Sequence, residues 1–255
     1  TKEMEEKYSK EINYSIENTE ICTSIDILRT KKEEPENTMV KTRFYVCDID
    51  TVGANLIFTS ENKRIAALNF ASYKNAGGMF IKGSRAQEEC LCHESFLYNV
   101  LKEHEPYYEL NRRNKNRALY YNRALYSPNV IFEREGRLCY CDVITCAAPN
   151  KRAAQRYCNV SDEENSRVLE SRIDFVLDIA RRHEVDILIL GAFGCGVFGQ
   201  SGEEVAKIFH KLLLREEYDC FESVVFAVPK SKNGNFQSFY DCFSSEILEV
   251  KHNSR

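Results

Sequence analysis

The sequence predicts an α/β fold in which a mainly parallel or mixed sheet is covered by helices on both faces. Two observations lead to this prediction: apolar runs of strand type recur along the chain, and helix signals lie between them. The runs cover residues 44–47, 65–70, 138–146, 186–190 and 224–228. Ser161 and Ser201 each stand three residues before a glutamate, a capping box that begins a helix. After Ser201 the apolar residues repeat with helical spacing, at Val205, Ile208, Phe209, Leu212 and Leu213.

The first 38 residues are polar and rich in Glu and Lys. This segment predicts one or two helices and then a solvated linker at residues 31–36. Its candidate packing positions are Ile16, Ile21, Ile25 and Leu28. We therefore expect an N-terminal helical extension, residues 1–38, that packs on an α/β domain formed by residues 39–255.

Composition fits a chain of enzyme size. The 255 residues are 43% hydrophobic and 29% charged, which is ordinary for a globular protein. The net charge of −4 gives no overall attraction to polyanions, so we expect no sequence-specific nucleic-acid binding. No apolar stretch approaches the ~20 residues that span a membrane. The charged start is unlike a signal peptide, and eleven cysteines without one indicate a reducing, cytoplasmic setting. We expect a monomer.

Two cysteine positions have a possible chemical role. Cys90, Cys92 and His93 form the only sequence cluster with possible metal ligands, but the second ligand pair of a closed zinc site is missing, and no metal is predicted. Cys195 lies in a glycine-rich loop, where it could be a nucleophile. No histidine is adjacent to it in sequence, so a small packing residue is the simpler interpretation.

The segment 75–89 runs from a glycine pair, Gly77 and Gly78, to two adjacent carboxylates, Glu88 and Glu89. Glycines let backbone amides approach a phosphate or sugar closely, because no Cβ stands in the way. A carboxylate beside such a loop can protonate a leaving group. A strand, a glycine loop and an acidic helix start together suit a site that holds a nucleotide sugar and cuts it.

The same segment has a purely structural interpretation. Ser84 and Gln87 have the spacing of a capping box, and the two acids after them would complement the helix dipole. The helix that begins here is predicted to continue through residues 90–102.

A second glycine loop, residues 191–200, has four glycines in ten positions and precedes the helix that Ser201 caps. A strand, a glycine loop and a helix N-terminus form a ready anion site. The loop lacks the Lys-Ser/Thr of a P-loop and the spacing of a dinucleotide fingerprint. It therefore predicts a diphosphate cradle without an obligatory metal. The alternative is a tight structural turn, although four glycines exceed what one turn requires.

A basic run at residues 112–117 lies close in sequence to tyrosines at 107–108 and 120–121. It could bind a phosphate chain while the tyrosines stack on bases. The alternative is a solvated surface loop.

Taken together, the two glycine loops resemble those of the microbial-type poly(ADP-ribose) glycohydrolases, a family of the macrodomain superfamily. That family carries three glycines followed by Gln-Glu-Glu, and residues 87–89 match the second half in full at a fitting spacing. Further similar segments are 68–72, 126–130, 147–150, 191–198 and 226–228, so the resemblance covers roughly residues 40–245. It implies a macrodomain-like three-layer α/β/α fold with a mixed central sheet, and a glycohydrolase catalytic domain in residues 39–255.

The resemblance also implies roles for individual residues. Glu89 holds the place of the catalytic acid, and Glu88 is its neighbouring carboxyl. Substrate contacts are implied for Asn69, Asn75, Gly77, Gly78, Met79, Gln87, Gly194, Cys195, Gly196, Val197 and Phe198. The amides of residues 194–198 would hold a diphosphate, and the Phe198 ring would pack on a ribose. The implied ligand is ADP-ribose or poly(ADP-ribose), which can be attached to ADP-ribosylated proteins, and no cofactor is implied.

One position departs from the family pattern, because Met79 stands where a third glycine would be. The expected activity is hydrolysis of ribose–ribose O-glycosidic bonds with release of ADP-ribose. A neutral carboxyl would protonate the departing oxygen as an oxocarbenium-like state forms, and its carboxylate would then activate water. Two alternatives stay open: a non-catalytic ADP-ribose reader, which Met79 favours, and a hydrolase of another ADP-ribosyl linkage.

Overall fold

The computed structural model describes residues 2–24 and 41–245. The N-terminal segment forms α1 (Lys2–Lys7), α2 (Ser9–Glu17) and strand β1 (Glu20–Thr23). Tyr8 and Ile12 are buried in the core, and Ile16 packs against it. Ile25, Leu28 and the linker at 31–36 lie outside the described residues.

Strand β1 was not predicted, and it changes the role of its residues. It pairs antiparallel with residues 123–126, so alternate side chains face opposite sides of the sheet. Cys22 is buried as a result, whereas Ile21 is 48% exposed. The prediction of Ile21 as a packing position was therefore wrong, because a strand rather than a helix sets its direction.

Seven strands form one mixed sheet in the order β1-β4-β5-β3-β6-β7-β2. The remaining strands are β2 (Arg43–Cys47), β3 (Ile65–Phe70), β4 (Arg123–Arg134), β5 (Arg137–Cys146), β6 (Ile187–Leu190) and β7 (Ser223–Ala227). β4 runs antiparallel to β1 and β5, and the other pairs are parallel. β4 was not predicted, because Pro128 and Asn129 interrupt its apolar pattern at a bulge.

The helices after β2 are α3 (Thr51–Phe58), α4 (Gln87–His93), α5 (Leu97–Leu101), α6 (Glu105–Arg113), α7 (Lys151–Cys158), α8 (Asp162–Arg182), α9 (Gly202–Leu213) and α10 (Asn235–Phe243). Two of the predicted starts are confirmed, since Ser161 caps α8 and Ser201 caps α9. The predicted continuous helix over 90–102 is wrong. It is broken between α4 and α5, where Ser95 forms an isolated bridge with Phe132 of β4. In the described part of the chain, no helix has the length and apolar character needed to cross a membrane.

The helices cover both faces of the sheet. In β3, Ala66 and Leu68 join one hydrophobic cluster, which also contains side chains of α8, α9 and α10. Ile65 and Ala67 join a second cluster, which contains side chains of α2 to α5. The predicted three-layer α/β/α arrangement with a mixed central sheet is confirmed.

This topology brings three loops to one edge of the sheet. β3 lies between β5 and β6 and is parallel to both, so the carboxyl ends of all three strands point the same way. The loops that follow them are residues 71–86, 147–150 and 191–201. Open α/β sheets hold ligands outside the carboxyl ends of their strands, which makes this edge the place to look for a site.

Candidate active site

A cleft of about 410 Å³ lies at this edge. Both predicted glycine loops and the predicted acids line it, although the two loops are more than a hundred residues apart in sequence. The lining residues are Phe70, Ala71, Ser72, Tyr73, Lys74, Asn75, Gly78, Met79, Ala86, Gln87, Glu88, Glu89, Tyr120, Ala148, Asn150, Ala192, Phe193, Gly194, Gly196, Val197 and Phe198.

Gln87 anchors the start of α4 to the end of β3. Its Oε1 accepts from the Phe70 amide at 2.8 Å, and its Nε2 donates to the Leu68 carbonyl at 2.9 Å and to Thr51 Oγ1 at 3.1 Å. Both Nε2 protons are used in these bonds. Although Gln87 lines the cleft, its amide therefore serves to hold the helix in place.

The capping-box interpretation of this helix start is wrong. The residue before α4 is Ala86, which has no side chain that can cap, and Ser84 lies in the preceding loop. The bonds from Gln87 to the strand replace the missing cap as the device that fixes the start of α4. The two acids are therefore oriented by the sheet.

Glu88 is a buried carboxyl that is only 3% exposed. Its Oε2 accepts from the Ser72 amide at 2.7 Å, and its Oε1 accepts from Asn69 Nδ2 at 3.3 Å. Burial raises the pKa of Glu88 to about 8, and the nearby Glu89 charge adds to this rise, while the two donors oppose it. At neutral pH this carboxyl is therefore mostly protonated.

Glu89 is 6% exposed and lies beside Glu88 at the same end of the cleft. Its Oε1 accepts from the Met79 amide at 2.9 Å. Its Oε2 is buried and has no hydrogen-bond partner among the residues that the structure describes. A buried carboxyl oxygen without a partner is costly, and such a group calls for an explanation such as a functional role.

The glycine pair forms the turn above these acids. Gly77 and Gly78 have φ of 64° and 61°, in the left-handed region that favours glycine. A Cβ on Gly78 would lie 2.5 Å from Glu89 Oε1 and 2.8 Å from Glu88 Oε2. Gly78 thus covers both carboxyls so closely that no side chain fits there.

Met79 does not need to be a glycine. Its φ is −111°, which ordinary residues adopt, and its side chain is 52% exposed at the edge of the cleft. The backbone contact with Glu89 is independent of the side chain. The departure from three glycines therefore leaves the position of the acid intact.

The two asparagines of the prediction lie in different surroundings. Asn69 is fully buried and does not line the cleft; its Nδ2 donates to Glu88 and to Thr145 Oγ1, both at 3.3 Å. Asn75 is exposed and lines the cleft. Asn69 can therefore influence a ligand in the cleft only through its hydrogen bond to Glu88, whereas Asn75 can contact such a ligand directly.

The second glycine loop forms the opposite wall. Gly194 has φ of 76°, and a Cβ there would lie 2.7 Å from the Cβ of Ala148. The amides of Gly194, Gly196, Val197 and Phe198 donate to no acceptor within the described residues. Four donors along one short loop are what an anion such as a diphosphate needs.

Cys195 differs from its neighbours in this loop. Its amide donates to the Ala192 carbonyl at 3.1 Å, and its side chain packs on the core and does not line the cleft. Burial raises the pKa of its thiol to about 12, so the thiolate is scarce at neutral pH. This geometry favours the packing interpretation over the nucleophile.

An aromatic group completes the cleft. Phe198 was predicted from the resemblance and Tyr120 as a possible stacking residue beside the basic run, whereas Tyr73 was not predicted. Tyr73 and Tyr120 stack with ring centroids 4.0 Å apart, and Phe198 meets Tyr120 edge-on at 6.1 Å. The other unpredicted lining residues include Ala148 and Asn150, in the loop between β5 and α7. Sequence reasoning marked 147–150 only as a similar segment, since nothing in its own pattern reveals that β5 ends beside β3.

The basic run at residues 112–117 does not line the cleft, although Tyr120 close to it does. The basic run is engaged elsewhere: Arg112 pairs with Glu105, Arg113 with Glu109, and Arg117 with Glu164. This favours the surface-loop interpretation. Within the described ranges, no three His, Cys, Asp or Glu side chains are grouped as metal ligands would be.

Comparison with known proteins supports a site of this kind. The family described as microbial-type PARG, catalytic domain, matches residues 1–135. A search of curated proteins found no match. The crystal structure of poly(ADP-ribose) glycohydrolase from Thermomonospora curvata is 32% identical, with a TM-score of 0.83, and the match covers 91% of this chain and 88% of that one.

Two further structures are similar to the same extent. The Deinococcus radiodurans poly(ADP-ribose) glycohydrolase in complex with ADP-ribose is 32% identical, with a TM-score of 0.83, over 92% of this chain and 97% of that one. The Thermomonospora curvata enzyme bound to the inhibitor ADP-HPD is 32% identical, with a TM-score of 0.80, over 91% and 87%.

Proposed function

This chain belongs to the microbial-type poly(ADP-ribose) glycohydrolases, and we propose that it hydrolyses the ribose–ribose bond of poly(ADP-ribose) with Glu89 as general acid and base. The observation that carries this proposal is the position of Glu89. Its carboxyl lies under the glycine turn in a cleft whose other wall is a loop of unused amides. The similar enzyme from Deinococcus radiodurans binds ADP-ribose, and we propose the same ligand for this cleft.

The diphosphate of the ligand is proposed to lie on the second glycine loop. The amides of Gly194, Gly196, Val197 and Phe198 are its candidate donors. Gly196 supports this placement, because a Cβ there would meet nothing within 4 Å and the loop is open to a close approach. Cys195 contributes to the shape of the loop, because its amide donates a hydrogen bond to a carbonyl of the same loop. The Phe198 ring, at the edge of the aromatic group, is proposed to pack on a ribose.

Placing the diphosphate there puts the scissile ribose near the other wall. Glu89 Oε1 accepts from the Met79 amide, and Oε2, which is buried without a partner among the described residues, is proposed to be the oxygen that meets the substrate once the ligand is bound. As the glycosidic bond breaks, positive charge develops on the ribose and the departing oxygen takes a proton from Glu89. The resulting carboxylate then removes a proton from the attacking water. The proton transfers are productive because the Glu89 carboxyl is already oriented before the reaction begins.

Glu88 is proposed to hold ribose hydroxyls and to set the electrostatics of the acid pair. With a pKa raised to about 8, Glu88 is mostly neutral at pH 7, so the pair does not carry two negative charges there. Gly77, Gly78 and Met79 form the turn that covers the pair, and Asn75 is the exposed candidate for a direct ribose contact. Asn69 and Gln87 act behind them, through Glu88 and through the start of α4.

The cellular location and the oligomeric state stay proposals. The eleven cysteines form no disulfide with one another, which supports a reducing, cytoplasmic location. Proteins that carry ADP-ribose polymers are candidate partners. The monomeric state stays a prediction that light scattering after gel filtration tests.

The test of this function is release of free ADP-ribose from purified poly(ADP-ribose), with mono-ADP-ribosylated protein as a second substrate. Release from the polymer supports the proposal. Release only from the mono-ADP-ribosylated protein would favour a hydrolase of another linkage. Binding of ADP-ribose by calorimetry without release from either substrate would favour a reader.

A further inference from the structure

Among the residues that the structure describes, Arg172 is the largest fully buried side chain, and it carries a charge that the proposed reaction does not use. It lies in the middle of α8, behind the aromatic wall of the cleft. A guanidinium stays protonated in proteins, and a buried charge normally lies against an opposite one.

The hydrogen-bond partners of Arg172 are all neutral. Nε donates to Asn122 Oδ1 at 2.7 Å, Nη1 donates to the Ala147 carbonyl, and Nη2 donates to the Leu119 carbonyl at 3.4 Å. In the described part of the chain, no Asp or Glu oxygen lies within ion-pair distance of this guanidinium.

The ionisable groups that face Arg172 are also neutral at pH 7. These are the Cys146 thiol and the phenols of Tyr73 and Tyr107. Burial raises the pKa of Cys146 to about 11 and also raises the pKa values of both tyrosines. Burial lowers the pKa of Arg172 itself, as expected for a cation with no buried counter-charge.

Short chains of contact lead from Arg172 to the cleft. Its partner Leu119 precedes Tyr120, and its partner Ala147 precedes Ala148; Tyr120 and Ala148 both line the cleft. The Cβ of Ala148 lies against Gly194, the first residue of the proposed diphosphate loop. On two sides of the ligand site, a residue that Arg172 contacts is therefore the direct neighbour in sequence of a residue that lines the cleft.

A second polar side chain of α8 fixes the same floor. Asn165 exchanges hydrogen bonds with Gln200 at 2.9 and 3.0 Å, and Gln200 Nε2 donates to the Pro149 carbonyl at 2.8 Å. Because this neutral pair already anchors the segment next to Ala148, holding the backbone there does not require a cation.

We propose that Arg172 supplies a buried positive charge whose partner is the diphosphate of the bound ligand. The charge attracts the diphosphate through the floor of the cleft, and the guanidinium does not contact the ligand. Arg172 is in this sense a positioning residue for an anionic ligand. The inference rests on the proposed function in one respect, that the cleft takes a nucleoside diphosphate sugar.

The test uses two neutral variants, Arg172→Met and Arg172→Gln, and one charged variant, Arg172→Lys. Gln keeps a donor for a backbone carbonyl, so it separates the loss of charge from the loss of the hydrogen bond. Arg167→Met removes one positive charge from the exposed side of the same helix and is the matched control. Circular dichroism and thermal unfolding establish that each variant is folded.

Calorimetry then measures the Kd of ADP-ribose and of adenosine, which has no phosphate. We expect both neutral variants to bind ADP-ribose about tenfold more weakly. Adenosine binding should stay unchanged, and the Lys variant and the control should resemble the native protein.

Equal weakening for both ligands would overturn the proposal, because a purely structural role moves both. Unchanged ADP-ribose binding would overturn it too, and failure of both neutral variants to fold would make Arg172 a folding residue. A native protein that binds ADP-ribose without releasing it from the polymer would sink the proposed hydrolysis alone. A native protein that does not bind ADP-ribose would remove both.

Discussion

The backbone amide of Met79 donates to Oε1 of Glu89 at 2.9 Å. This bond ties the turn after the glycine pair to the proposed catalytic acid, whose Oε2 is buried and has no hydrogen-bond partner among the described residues. Because the donor belongs to the main chain, the contact does not depend on which side chain stands at position 79. It explains how a chain without the third glycine keeps the acid in place.

Replacement of Met79 by proline should reduce turnover by about 10- to 100-fold, because proline has no amide to donate and a buried acceptor left without its partner costs about 1–3 kcal/mol. The rate of ADP-ribose release from the polymer measures this effect. Met79→Ala is the control, since it removes the side chain and keeps the amide. Equal activity of the two variants would show that the bond does not matter.

Gly78→Ala should abolish turnover, because the new Cβ would lie within 2.8 Å of oxygens of both carboxyls. One of the two acids must then move. Gly83 offers a matched control: it also has a positive φ, at 78°, but a Cβ there would meet nothing within 4 Å.

Gly83→Ala bears the same backbone strain as Gly78→Ala and should keep most of its activity. Unfolding in urea measures the strain, and ADP-ribose release measures the position of the acids. A Gly78→Ala enzyme as active as Gly83→Ala would contradict the geometry described for the turn.

Glu88 should make the free energy of unfolding depend on pH. Its pKa is raised from 4.5 to about 8 on folding, so between these values the unfolded chain releases a proton that the folded chain keeps. Stability from this group is therefore full below pH 4.5 and is lost as pH rises towards 8. In Glu88→Gln the group is absent.

Urea unfolding at pH 5 and pH 8 tests this linkage. The native protein should lose more stability between the two pH values than Glu88→Gln, and the difference cancels every other titrating group. An equal loss in both proteins would mean that Glu88 is not held neutral by the fold.

Gln87→Ala should destabilise the protein by about 1–3 kcal/mol, because it leaves the buried Leu68 carbonyl and Phe70 amide without their partner. Turnover should fall as well, since the start of α4 carries both acids. Urea unfolding and ADP-ribose release measure the two effects. Gln155→Ala, which removes an exposed bond to Asp162, should change neither.

The chemistry of the site was predictable where it lies in continuous motifs. The Gln87–Glu89 run and the glycines of the second loop mark the two walls, because backbone approach and a paired carboxyl need those residue types locally. What the motifs did not reveal is how far each side chain reaches. Asn69 and Gln87 were predicted to contact the substrate, but the Asn69 amide faces the Glu88 carboxyl and the Gln87 amide faces the strand behind the cleft.

The parts of the fold that depend on distant pairing were the hardest to predict. Strand β1 forms because residues 20–23 meet the edge of β4, about a hundred positions away, and no local pattern distinguishes it from a helical segment. The Tyr73–Tyr120 stack and the Arg172 contacts likewise join segments that are far apart in sequence. The resemblance predicted the residues of the two glycine loops that form the walls of the cleft. The contacts behind the cleft depend on tertiary packing and could not be predicted from local sequence.

The most direct test of the account is to compare Glu89→Ala with the native protein in two measurements, ADP-ribose release from poly(ADP-ribose) and calorimetric binding of ADP-ribose. Glu61→Ala, at an exposed position, is the control for loss of one acid. The account predicts that Glu89→Ala binds ADP-ribose with nearly native affinity and releases none from the polymer. Native-like release by Glu89→Ala would contradict the assignment of the acid.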